Sequence, residues 1–125
     1  MPVVRRADSR RTTTPNATMT THASPTQGGT ARLAVWTVAM APGASGPDHV
    51  FDVEQVWTAL DGAAVVDLDG ERLTVGPGDT LVLPADAPRR VHADADAGFT
   101  AVVAAPAGAL AVQPGAEPVL PPWIA

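Results

Sequence analysis

Three side chains in this sequence are equipped to act on a small molecule: the imidazole of His49, the amide of Gln55 and the guanidinium of Arg89. An imidazole titrates near neutrality, so His49 can give or take a proton. A guanidinium stays charged and offers a planar fork of donors, which suits Arg89 to a carboxylate, enolate or phenolate. Acting together, one group would move the proton and the other would stabilise the negative charge left behind. Both residues also have quieter roles open to them. His49 can be a hydrogen-bonded wall residue, and Arg89 can pair with an acid such as Glu54 or Asp48, or extend its head to water.

Several other chemistries are excluded by what the chain lacks. It has no cysteine, which removes disulfides, thiolate metal sites and a thiol nucleophile. No Gly-x-Ser-x-Gly elbow, Walker loop or dinucleotide fingerprint occurs, and Gly76-Pro77-Gly78-Asp79 reads as a turn with no helix after it. The net charge is −5, from eight Arg, no Lys and thirteen acids, and four of the Arg fall in the first eleven residues. The remainder is therefore acidic and repels polyphosphate, so nucleic acid is not an expected partner. The Arg-rich start is read as a solvated arm. No apolar run is long enough to cross a bilayer and no secretion signal follows Met1, so the expected setting is cytoplasmic.

A chain of 125 residues has room for one core. Residues 1–30 are rich in Thr, Ser, Pro and Gly and read as an arm with one short strand over 17–23. Residues 31–41 are apolar and partly β-branched, which reads as a buried strand ended by Pro42-Gly43. Short apolar segments then recur to residue 112, with turn signals between them; Asp61-Gly62 and Asp69-Gly70 are hairpin signals. An antiparallel meander and an all-β fold follow, a sandwich or closed barrel spanning 31–113. The terminal Pro121-Pro122-Trp123-Ile124 is rigid and apolar, so residues 114–125 are expected to dock on the barrel or on a second subunit.

The stretch from Pro42 to Pro106 resembles the cupin superfamily in detail. That family's first motif is a glycine-bearing loop, His-x-His, a Glu a few residues on, six residues and a Gly; here PGASGPDHVFDVEQVWTALDG sets His49, Phe51, Gln55 and Gly62 at those positions. The second motif is Gly, five residues and Pro-x-Gly-x-x-His, and GDTLVLPADAPR sets Gly78, Pro84, Asp86 and Arg89 there. The resemblance implies a single-domain jelly-roll barrel, or double-stranded β-helix, with those four side chains turned inward.

In the family, His, His, Glu and His hold a divalent metal. Here one of the four survives as a good ligand, because Phe51 offers nothing, Gln55 offers a neutral amide and Arg89 repels a cation. The expectation is therefore no cofactor, the alternative being a divalent metal on His49 and Gln55. His22 and His92 are read as surface histidines, since alternation from Arg89 puts His92 on the outer face. The same alternation carries Trp57 and Ala59 inward with Gln55, and Val91 inward with Arg89. Trp36, Met40 and Phe99 are further candidates for the wall.

A cavity of this make-up suits an organic ligand. His49 is the candidate catalytic residue, with Arg89, Gln55, Phe51, Trp57 and Val91 as ligand-binding residues. The expected function is a metal-independent lyase, isomerase or cyclase acting on a small anionic or aromatic metabolite. A binding or sensing cupin without chemistry and a degenerate metal enzyme are the alternatives. A homodimer is the expected assembly.

Overall fold

The computed structural model describes residues 3–125. Among them the regular structure is almost entirely strand, with one 3-10 turn at Arg6–Asp8. The strands are β1 (Arg10–Thr13), β2 (Thr18–Ala23), β3 (Leu33–Met40), β4 (Val50–Phe51), β5 (Gln55–Gly62), β6 (Ala64–Leu68), β7 (Glu71–Val75), β8 (Thr80–Leu83), β9 (Arg89–Ala93), β10 (Phe99–Pro106) and β11 (Ala111–Val112). They form a six-stranded sheet in the order β1-β2-β3-β10-β5-β8, a three-stranded sheet β7-β6-β9 and a pair β11-β4. Backbone bridges from Ser45 to His92 and from His49 to Arg89 join the segment ahead of β4 to the edge of β9. The smaller sheets thus act as one layer facing the larger sheet, the jelly-roll arrangement.

The core follows from period-two patterning. On β3 the buried positions are Ala34, Trp36, Val38 and Met40; on β10 they are Phe99, Ala101, Val103 and Ala105. Small and large residues complement one another across the strands. Val103 lies in register between Trp36 and Trp57, and Ala101 between Val38 and Ala59, so the indoles meet short neighbours and can reach across the interior. Trp36, Met40 and Phe99, whose facing the sequence left open, all point inward.

Two expectations are corrected. The first thirty residues hold two strands, and β1 and β2 extend the large sheet, so this segment is a built part of the barrel. Its Thr-rich strand alternates cleanly, with Met19 and Thr21 buried. The chain is also no simple meander. Asp69-Gly70 does make the two-residue hairpin between β6 and β7, with both φ positive. Asp61-Gly62 instead marks the passage from the large sheet to the small one, since β5 pairs with β10 and β8 while β6 pairs with β7 and β9. Asp86 stands where the motif has glycine. It keeps the left-handed φ of 63° that this turn requires, a conformation Asp tolerates better than most residues.

Candidate functional site

Strand pairing brings the motif residues together. His49 N–H donates to Arg89 O at 3.2 Å and Arg89 N–H donates to His49 O at 3.0 Å, so the two are directly opposed and their side chains share the inner face. Phe51, two residues on, falls on that face as well. Its ring stands edge-on to the His49 imidazole at 5.2 Å, and the Arg89 guanidinium lies 5.7 Å from its centroid. From the opposite sheet, β5 sends in Gln55 and Trp57, and Trp57 lies parallel to Phe99 at 6.5 Å.

Between these walls is a cavity of about 300 Å³. His49, Phe51, Gln55 and Trp57 line it together with Trp36 and Met40. Thr14 to Ala17, Pro47, Gln113 and Trp123 are also part of the lining. Two of the expected ligand-binding residues are placed elsewhere: Arg89 and Val91 are both buried, yet neither belongs to the lining. A second and more open cleft of about 480 Å³ lies at the ends of β6, β7 and β9, where Asp79, His92 and Asp94 are its titratable side chains. The smaller cavity is the candidate site, because it gathers the imidazole, the amide and the indoles and is the less open of the two.

Sequence reasoning missed the contribution of the termini. Thr21 Oγ1 donates to Trp123 O at 2.7 Å, and Arg10, Ser24 and Thr26 all donate to Ala125 O, which straps the C-terminal segment across β1 and β2. Ile124 is fully buried and Trp123 becomes a wall of the cavity. The Pro-Pro-Trp-Ile stretch was the available signal. It indicated docking without indicating where.

Arg89 is held by the protein itself. Nε donates to Ala87 O at 3.1 Å, Nη2 to Pro84 O at 2.8 Å and Nη1 to Gln55 Oε1 at 3.3 Å. Neither Glu54 nor Asp48 pairs with it; Asp48 lies 4.0 Å from Arg90 instead. Burial lowers its pKa to about 10, so it remains a cation at neutral pH. The fork expected to hold a ligand is thus occupied by carbonyls of its own loop and by Gln55.

Gln55 is 1% exposed, and its oxygen accepts from both Trp57 Nε1 at 3.0 Å and Arg89 Nη1 at 3.3 Å. Both neighbours can only donate, which decides the amide orientation. Nε2 is buried and has no hydrogen-bond partner among the described residues.

His49 Nδ1 lies 2.8 Å from Pro47 O. A carbonyl can only accept, so Nδ1 carries the proton and Nε2 keeps its lone pair in the neutral ring. Burial is the main cause that lowers the His49 pKa from its ordinary value, and the Arg89 charge adds to it; the Pro47 bond and Asp48 act in the opposite sense. The ring is therefore a neutral base at physiological pH.

A metal does not fit these positions. No group of three or more His, Cys, Asp or Glu side chains that could hold an ion occurs among the described residues. The inner face offers one imidazole beside a buried cation that would repel a divalent ion. His22 is exposed on β2, bonded to Thr37 Oγ1 at 2.6 Å. His92 faces outward, its Nδ1 2.8 Å from Ser45 Oγ and its Nε2 2.8 Å from Asp67 Oδ2.

A family model described as cupin domain matches residues 36–104, from β3 through most of β10. The chain is a cupin. Solved structures agree on the fold. The polyketide cyclase RemF from Streptomyces resistomycificus superposes with a TM-score of 0.72 at 24% identity, covering 85% of this chain and 79% of that one. KdgF from Halomonas sp. gives 0.69 at 22%, covering 83% and 92%. A sugar phosphate isomerase of the cupin superfamily from Silicibacter pomeroyi gives 0.69 at 20%, covering 93% and 83%. No match was found among curated protein sequences. At these identities the shared property is the barrel. No helix among the described residues of this cupin is long and apolar enough to cross a membrane.

The outer face carries one pH-dependent feature. Asp67 is held below the usual carboxylate range first by its hydrogen bond with Arg72 and then by that with His92. A carboxyl whose folded pKa is depressed stabilises the fold above its unfolded value of about 3.9, and that contribution is lost as pH falls through the folded value. Asp67→Asn is expected to narrow the stability difference between pH 7 and pH 2.5 relative to the parent, measured by urea unfolding at each pH. An unchanged difference would show that the outer network is inert.

Proposed function

We propose that this cupin binds a small aromatic or anionic metabolite in the cavity between its sheets and acts on it without a metal, as an isomerase, lyase or cyclase. The observation that carries the reading is the neutral His49 at the cavity wall, its Nδ1 proton committed to Pro47 and its Nε2 free to take a proton. A base held in one tautomer by a backbone carbonyl is suited to proton transfer from a bound carbon acid. The indoles of Trp36 and Trp57 supply apolar surface for a flat ligand, and the volume lies at the small end of the range for organic ligands. The cyclase and the sugar phosphate isomerase of the same fold support the reading in a general way, since both rearrange small organic molecules.

In such a step the C–H bond beside a carbonyl breaks and its proton passes to His49 Nε2. The electron pair forms an enolate; where a second double bond extends it to a dienolate, return of the proton to the far carbon shifts the double bond and completes an isomerisation with no co-reactant. The test uses 2-tetralone in D₂O, following by NMR the deuterium incorporated beside the carbonyl. Protein-dependent exchange that disappears in His49→Ala is the expected result. Binding of the ketone without exchange would leave a binding protein and overturn the catalytic reading, and no binding of 2-tetralone or of the matched hydrocarbon tetralin would overturn the site itself.

A further inference from the structure

The Gln55 side chain lines the cavity and its amide is locked by two neighbours that can only donate, which leaves Nε2 a buried donor with no acceptor among the described residues. We propose that Gln55 Nε2 is the specificity-determining contact for the ligand, selecting a molecule that places a ketone or enolate oxygen against it, and that Arg89 is a positioning residue acting through Gln55. The inference rests on the cavity being the binding site and deepens that reading by naming the group that is recognised.

The physical argument is an accounting of donors and acceptors. A free glutamine side chain can turn over and present either end to a ligand. Here a flip would set Nε2 against Trp57 Nε1 and Arg89 Nη1, donor facing donor on both sides. Arg89 cannot swing away to permit it, because Pro84 O and Ala87 O hold the rest of its fork. Its charge also draws density from the amide oxygen and strengthens Nε2 as a donor. A buried donor left without an acceptor is costly, so a ligand that supplies an oxygen gains and one that supplies another donor is rejected. In the family motif this position is a carboxylate, which presents only acceptors; the amide reverses the sense of the contact.

Gln55→Glu tests this with little change of shape. One carboxylate oxygen keeps the bonds from Trp57 and Arg89, and the other replaces the donor with an acceptor. Binding of 2-tetralone, tetralin and 2-aminotetralin is measured by calorimetry or by quenching of tryptophan fluorescence. In the parent protein 2-tetralone is expected to bind about tenfold more tightly than tetralin. In Gln55→Glu that preference disappears and 2-aminotetralin gains over the ketone. Should the variant fail to fold, Gln55→Met removes the donor and is expected to bring 2-tetralone and tetralin to equal affinity.

Arg89→Lys keeps the charge but loses the fork, and is expected to weaken the ketone preference while affinity for tetralin holds. A parent protein that binds ketone and hydrocarbon equally well, or a Gln55→Glu variant that keeps the preference, would overturn the Gln55 assignment and leave the cavity standing. Failure of all three probes to bind would overturn the cavity reading as well.

Discussion

Gly62→Ala is expected to destabilise this protein by more than about 4 kcal/mol, a large fraction of the stability of an ordinary domain. Gly62 has φ +70°, and a Cβ built on it would stand 2.1 Å from Gly98 O, 2.7 Å from Gly98 C and 3.2 Å from Phe99 Cα. Those atoms are backbone, held by the bond from Ala63 N to Gly98 O, and cannot rotate aside. A left-handed φ alone costs an alanine about 1–2 kcal/mol. Gly70 provides the control, with φ +84° and nothing within 4 Å of its added Cβ. Gly70→Ala should therefore show the backbone cost alone, and the excess for Gly62→Ala measures the close approach. Urea unfolding of both variants makes the comparison; equal losses would mean that the contact between the ends of β5 and β10 is looser than described. The site shares in this constraint, because the crossing sets Phe99 where it stacks on Trp57.

The second large effect is kinetic. With His49 as the base, His49→Ala is expected to lower turnover of a carbon-acid substrate by about 10²- to 10⁴-fold. The pH profile separates this role from a structural one. Burial depresses the folded pKa of His49, so the base stays neutral below the ordinary histidine value of about 6.5. The acidic limb of kcat/KM should accordingly fall below pH 6.5 and vanish from any residual rate of the alanine variant. Linkage has a definite sign here as well. Between the depressed folded value and about 6.5 the unfolded chain binds more protons, so acidification through that window weakens the fold. His49→Ala should remove this component of the pH dependence of unfolding. A limb at or above pH 6.5 that survives the substitution would assign the titration to another group.

Much of the architecture was legible because it depends on local rules. Alternation placed Trp57 with Gln55 and His92 opposite Arg89, since side chains on a strand have a period of two whatever the strand packs against. Asp69-Gly70 was readable as a hairpin because its turn needs only two positive φ angles. The same dipeptide at Asp61-Gly62 misled, because whether the next strand folds back or crosses to the other sheet depends on partners far along the chain. The strand at Arg10–Thr13 was missed, and the expected strand at Thr18–Ala23 was taken for part of a loose arm, for a related reason. Threonine runs carry little hydrophobic signal, and their place was secured by pairing with β3 and by the C-terminal strap.

Sequence by itself determined the fold family and set His49, Phe51, Gln55 and Arg89 at the positions where the family carries His, His, Glu and His, because both depend on residue type and spacing along a strand. Only the tertiary structure decided which of those side chains meet the cavity. Arg89 is drawn back by Pro84 O and Ala87 O, and Gln55 is left facing inward with Nε2 buried and unpartnered among the described residues. Hydrogen bonds are settled between groups distant in sequence, and a burial pattern says which side chains are inside without saying which partner each one finds there.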